Sequence, residues 1–157
     1  MRVLFSVALA LMISACGFHL RGQATLPYST LYVSGPSGSS LTRALTRVLK
    51  SGGVKVVERQ EDAEVSLIIL SDAREKSILS LSAAGRAQEY ELRERVSFRI
   101  VTAKEPDLPT NEIVTQRTIS FNDAQILAKE SEEALLYRDM ENDTVQQLLR
   151  RLQAAKK

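Results

Sequence analysis

The chain has 157 residues, 21 Lys plus Arg against 19 Asp plus Glu, a formal net charge of +2 and a single cysteine. That length suits one domain with a sizeable core, and the near-neutral balance lacks the basic excess expected of a nucleic-acid binder. One cysteine cannot form an internal disulfide, so packing has to hold the fold.

Met1 and Arg2 form a minimal positive start, and residues 3–13 carry no charge. An apolar run of about 11 residues fits a signal-peptide core and falls short of the ~20 that span a bilayer. It ends in Ile13-Ser14-Ala15-Cys16. This pattern resembles the lipobox of bacterial lipoproteins, in which the thiol receives a diacylglycerol and becomes the new N-terminus. The chemistry needs sulfur because the thiolate is the nucleophile that is alkylated. Small neighbours let the backbone fit the lipidating and cleaving enzymes. Residues 1–15 are therefore expected to be removed, leaving residues 16–157 as one domain with its lipid anchor on Cys16. Several acyl chains on one residue give stable anchoring. Gly17, where an aspartate would retain a lipoprotein at the inner membrane, permits transfer to the outer membrane. Without Arg2 the remainder is close to neutral.

Residues 28–33 read as a short strand, followed by the Gly/Ser/Pro loop 34–40. Ser40 is expected to cap a helix. Leu41, Ala44, Leu45, Val48 and Leu49 recur at helical spacing, and Gly52-Gly53 stops the helix. Residues 54–57 are a short β-prone run, and 65–70 an apolar strand. The alternation slips beyond Ser71, which predicts a bulge or bend over 71–76. Residues 83–86 form a hairpin tip. In the next strand Tyr90, Leu92, Val96, Phe98 and Ile100 share one face, and Glu89, Glu91, Arg93, Arg95, Ser97 and Arg99 the other. Glu94 interrupts the apolar face. It marks a bulge or a zone of strand beyond the packed helices. Residues 106–109 turn the chain into a strand over 112–121, and 122–130 is a connecting loop. Ser131 is expected to open a long helix with Glu132 and Glu133 in its first turn. Its inward stripe is Tyr137, Met140, Thr144, Leu148 and Leu152. The expected order is β-α-β-β-β-α. This is an α+β fold: about four mostly antiparallel strands with two helices on one face.

Cys16-Gly17-Phe18-His19-Leu20-Arg21-Gly22, at the head of a lipoprotein of this size, resembles the LptE (RlpB) family of lipopolysaccharide-assembly lipoproteins. Leu41-Thr42-Arg43-Ala44, Gln88-Glu89-Tyr90 and Ala128-Lys129 add to the likeness. The resemblance implies a four-stranded sheet carrying two helices. It implies a non-enzymatic protein that plugs the outer-membrane β-barrel LptD one-to-one, helps that barrel fold, and binds lipopolysaccharide on its way to the cell surface. The family's lysine before the last helix corresponds to Lys129. Its hairpin arginine precedes the glycine; here Arg86 follows Gly85, and Arg86 or Arg74 stands in for it. Such cations suit lipid A phosphates because they make charge-assisted hydrogen bonds. Inside a polar barrel lumen, Arg93, Arg95 and Arg99 become an interface rather than a solvated row. Phe18, His19, Leu20 and Arg21 seat the N-terminus beside the anchor or the barrel wall.

His19 has no partner at metal-ligand or catalytic spacing. The chain holds no Gly-x-Ser-x-Gly, no His-Glu-x-x-His and no phosphate-cradling glycine loop, so no enzyme, metal or cofactor is expected. The competing reading is another periplasm-facing lipoprotein, a secretin pilotin or a transporter accessory.

Overall fold

The computed structural model describes residues 26–102, 109–121 and 126–155. The anchor and the N-terminal positions Cys16, Phe18, His19, Leu20 and Arg21 lie outside them, as does most of the predicted 106–109 turn.

The elements are β1 (Thr30–Ser34), α1 (Ser40–Ser51), β2 (Lys55–Val57), a single 3-10 turn (Gln60–Asp62), β3 (Val65–Leu81), β4 (Ala87–Thr102), β5 (Asn111–Ser120) and α2 (Ile126–Ala154). The strands form one sheet in the order β2-β1-β3-β4-β5. β1 runs parallel to both β2 and β3, whereas β3, β4 and β5 are antiparallel. The sheet thus has five strands rather than about four, and is mixed. The extra strand is the 54–57 run. α1 carries the chain back across the sheet, so β2 has to enter parallel to β1, as a crossover connection requires. The α+β architecture with both helices on one face stands as expected.

α1 forms because Leu41, Leu45 and Leu49 lie on one stripe and all are buried. Its cap is Ser39, one residue earlier than expected: Ser39 Oγ accepts from the Thr42 amide at 3.1 Å and donates to Asp72 Oδ2 at 3.0 Å. Ser40 is thereby free to donate its own hydroxyl elsewhere. Gly52 closes the helix, and Gly53 at φ 82° makes the reversal into β2 that a side chain would strain.

The register of β3 against β4 slips between Ile69 and Ser71, which leaves Leu70 as the extra residue. Before the slip, Leu67 and Ile69 point at the helices. After it, the residues opposite the inward face of β4 are Asp72, Arg74, Lys76 and Ile78, paired with Val96, Glu94, Leu92 and Tyr90. One bulged residue thus turns a run of charges under the helices. Gly85 at φ 75° closes the hairpin, with its amide on the Ser82 carbonyl at 2.9 Å.

α2 starts at Ile126, five residues before the expected Ser131. Ser131 is no cap, because its hydroxyl donates back to the Ala128 carbonyl at 2.8 Å, the bond of a serine inside a helix. Lys129 therefore belongs to the first turn, and Glu132 and Glu133 to the second.

The main core joins Leu41, Leu45 and Leu49 of α1, Val145, Leu148, Leu149 and Leu152 of α2, and Leu31, Leu67, Val96, Phe98 and Ile100 of the sheet. A second, smaller cluster of Leu92, Ile119 and Met140, flanked by Tyr90, Leu136 and Tyr137, lies towards the hairpin tip.

Candidate functional site

Between the two clusters sits a buried carboxylate. Glu94 occupies an inward position of β4 and is fully enclosed. Thr144 of α2 donates its hydroxyl to Glu94 Oε2 at 2.9 Å, and Arg74 Nε of β3 donates to Oε1 at 3.1 Å. Arg74 also donates to Glu141 Oε2 at 2.7 Å, where Ser40 donates from the start of α1 at 2.5 Å. Its guanidinium lies 5.2 Å from the Tyr137 ring centroid, a cation–π distance. Four elements are tied through this one arginine. Burial pushes the Glu94 carboxyl above its ordinary range; the bonds from Thr144 and Arg74 pull it part of the way back, and Asp72 adds to the rise. For Arg74, partial burial works against the charge, and Glu94 and then Glu141 outweigh it, so its pKa is raised. Burial, then the Glu133 charge, raises Tyr137, against Lys76 and Arg74.

Arg74 is therefore engaged in the middle of the sheet rather than placed at the hairpin end. Arg86 is at that end, and Ser82 Oγ accepts from its amide at 3.2 Å. Eight residues of strand separate the level of Glu94 from Arg86, about 26 Å at ~3.3 Å per residue, so Arg74 and Arg86 do not share a site. Lys129 lies towards the tip. It donates to Glu132 Oε2 at 2.8 Å and to Ser120 Oγ at 3.3 Å, and Ser120 is paired with Glu89 three residues from Arg86. Around this end Ile78, Leu79, Leu81 and Ile126 are exposed, and Leu127 is 82% exposed. Lys76 reaches Glu133 at 2.5 Å and lies 4.6 Å from the centroid of Tyr90. Arg86, Lys129 and these exposed aliphatic residues thus lie towards the same end of the molecule. The signal for that end was three large aliphatic residues flanking a four-residue tip.

The row Arg93, Arg95 and Arg99 lies on the sheet face without helices. Arg93 pairs with Glu91 at 2.6 Å and Arg95 with Glu112 at 3.1 Å. The Nε atoms of Arg93 and Arg99 are buried and meet no hydrogen-bond acceptor among the described residues. The roles of Glu141 and Asp72 escaped the sequence reading because each looks like a surface acid on its own element. Among the described residues no group of His, Cys, Asp and Glu could hold a metal ion, and no helix is long and apolar enough to cross a membrane.

A family profile described as LptE, Lipopolysaccharide-assembly, matches residues 28–152. The LPS-assembly lipoprotein LptE of Pectobacterium atrosepticum is 32% identical over 152 residues, covering 93% of this chain and 82% of that protein. The protein of the same name from Yersinia enterocolitica is 28% identical, covering 93% and 72%. Among solved structures, an uncharacterized lipoprotein B from Nitrosomonas europaea superposes with a TM-score of 0.77 at 43% identity, covering 89% of this chain and 92% of that one. The rare lipoprotein B of Shewanella oneidensis gives 0.71 at 27% identity, covering 81% and 96%.

Proposed function

From its membership of the LptE lipopolysaccharide-assembly family, we propose that this chain is an outer-membrane lipoprotein, anchored by acyl chains on Cys16, that seats in the lumen of the LptD barrel, helps that barrel assemble and binds lipopolysaccharide during delivery to the cell surface. The observation that carries the lipopolysaccharide part is the tip of the β3–β4 hairpin. Exposed aliphatic side chains there stand beside Arg86 and Lys129. Lipid A combines acyl chains with phosphates, and such a rim offers an apolar surface and cations together. Arg74 is the third cation of this reading; a phosphate reaching it competes with Glu94 and Glu141. The barrel part is supported by the helix-free face. Its row of Arg93, Arg95 and Arg99, each partly exposed, puts charge on a face that carries no helix, and a polar barrel wall suits such a face. No catalytic step enters this reading.

Purification of the acylated chain in mild detergent tests it. A large β-barrel should come down in near one-to-one ratio. Recovery with a secretin or with an inner-membrane complex instead sinks the proposal.

A further inference from the structure

The start of α2 has a lysine on each flank. α2 lies over β4: Tyr137 donates its hydroxyl to the Glu75 carbonyl of β3 at 3.0 Å, and Asp143 pairs with Arg117 of β5. On the β5 side stands Lys129, donating to Ser120 and Glu132. On the β3 side stands Lys76, which donates to Glu133 Oε2 at 2.5 Å and lies 4.6 Å from the Tyr90 centroid. The bulge at Leu70 brings Lys76 there, because it turns Arg74, Lys76 and Ile78 of β3 to the helix side. A cavity of about 520 Å³ opens beside Lys76, with Arg74, Glu133 and Tyr137 in its wall.

The two flanks are built alike. Lys76 is followed by the exposed Ile78 and Leu79, and Lys129 is preceded by the exposed Ile126 and Leu127. Each ammonium is held by one of two successive glutamates of α2, in a pair that is partly exposed. Such a pair contributes little to stability, so a stronger anion can take the glutamate's place. A phosphate monoester is one: it carries more charge than a carboxylate and three acceptor oxygens. Arg74, in the same cavity, differs. Its partner Glu94 is enclosed, and stranding that carboxylate is costly. Lys76 is therefore the cation of this cavity that changes partners readily. The strand positions of Lys76 and Ser120 are two strand spacings and three residues apart, about 14 Å. One phosphate cannot serve both lysines across the start of α2.

We propose that Lys76 is a second phosphate-binding cation of the tip, matched across α2 with Lys129, and that the ligand is an acylated headgroup carrying two separate phosphates. This rests on the lipopolysaccharide reading for the class of ligand and adds the residue that reads its second phosphate. Glu133 and Glu132 hold the two ammoniums in the free protein, and each phosphate displaces one of them. The exposed aliphatic side chains on the two flanks receive the acyl chains. A headgroup with one phosphate displaces one glutamate and gains one contact, so the pair of lysines selects for two.

The test titrates the full chain, purified in mild detergent, with lipid A bearing two phosphates and with its monophosphoryl form. The two-phosphate form should bind about tenfold more tightly, the gain of one charge-assisted contact. Lys76→Gln should weaken its binding about tenfold and erase most of that preference. Glu133→Gln removes the competitor of Lys76 and should tighten binding about threefold. Glu58→Gln removes an exposed acid beside β2 and should leave binding unchanged, so general charge is separated from local competition. Denaturation midpoints of all three variants should stay close to wild type. Wild-type affinity and preference in Lys76→Gln, or Glu133→Gln binding no more tightly than Glu58→Gln, overturns the inference. If Lys129→Asp weakens binding and Lys76→Gln does not, the second position falls and the lipopolysaccharide reading stands. If the parent chain binds neither form, both fall.

Discussion

The two halves of the molecule are held together differently. In the base half, two helices cover the sheet and an apolar cluster runs from Leu31 through Phe98 to Leu152. In the tip half, only α2 remains over the strands. The core shrinks to Leu92, Ile119 and Met140, and the inward face of β3 becomes Asp72, Arg74, Lys76 and Ile78. The boundary is the Arg74–Glu94 pair. Burial of apolar area stabilises the base at about 25 cal/mol per Å², whereas ion pairs between partly exposed groups contribute about 0–1 kcal/mol each. The base holds most of the buried apolar side chains, and the tip leaves Ile78, Leu79 and Leu81 exposed. A protein that needs a long, solvent-facing hairpin can have one only where a well-packed end supports it.

Substitutions separate the two halves by size of effect. Phe98→Ala, in the fully buried base, should lower unfolding free energy by about 3–5 kcal/mol in denaturant titration. Arg74→Ala strands an enclosed carboxylate. Breaking a buried pair costs about 3–5 kcal/mol; the 37% exposure of the Arg74 side chain puts this one below that range, at about 2–3 kcal/mol. If it costs no more than an exposed pair, the boundary is not structural.

The Glu94 carboxyl should show in the pH dependence. Burial favours its neutral form, so the folded chain holds a proton that the unfolded chain releases. Stability from this group is full below the unfolded value of 4.5 and is lost as pH rises through the raised folded value. Wild type should therefore gain on Glu94→Gln as pH falls through that window. A difference between their denaturation midpoints that is constant with pH would show that Glu94 is not perturbed. The smallest effect belongs to the tip. Ile78 and Leu81 are more than half exposed, and Ile78→Ser or Leu81→Ser should change stability by no more than about 0.5 kcal/mol.

Much of this division could be read in the residues. The leucine stripe of α1, the alternation of β4 and the glycine at the hairpin tip are local signals, and the structure follows them. The bulge was visible as a slip in alternation and falls at Leu70, just ahead of the expected stretch. Three things were hidden because they depend on distant partners. The run at 54–57 is β-prone, but its place beside β1 is set by the crossover of α1. The early start of α2 depends on Ser131 turning its hydroxyl inward. Glu94 stood out as a charge on an apolar face, yet its meaning needed Arg74, delivered by the bulge, and Thr144, delivered by a helix 50 residues later. A polar residue at an inward position of both a strand and a helix was the available clue. For the candidate site, family likeness pointed to Lys129 and offered Arg86 or Arg74 for the hairpin arginine, but the exposed aliphatic residues at that end emerge only when the hairpin tip and the start of α2 are brought together.

The division of labour between base and tip is tested most directly by measuring lipopolysaccharide affinity and denaturation midpoint in parallel for one residue of the tip. Lys129→Asp should bind lipopolysaccharide about tenfold more weakly, the loss of one charge-assisted contact, with a midpoint close to that of wild type. Wild-type affinity in this variant would contradict the account.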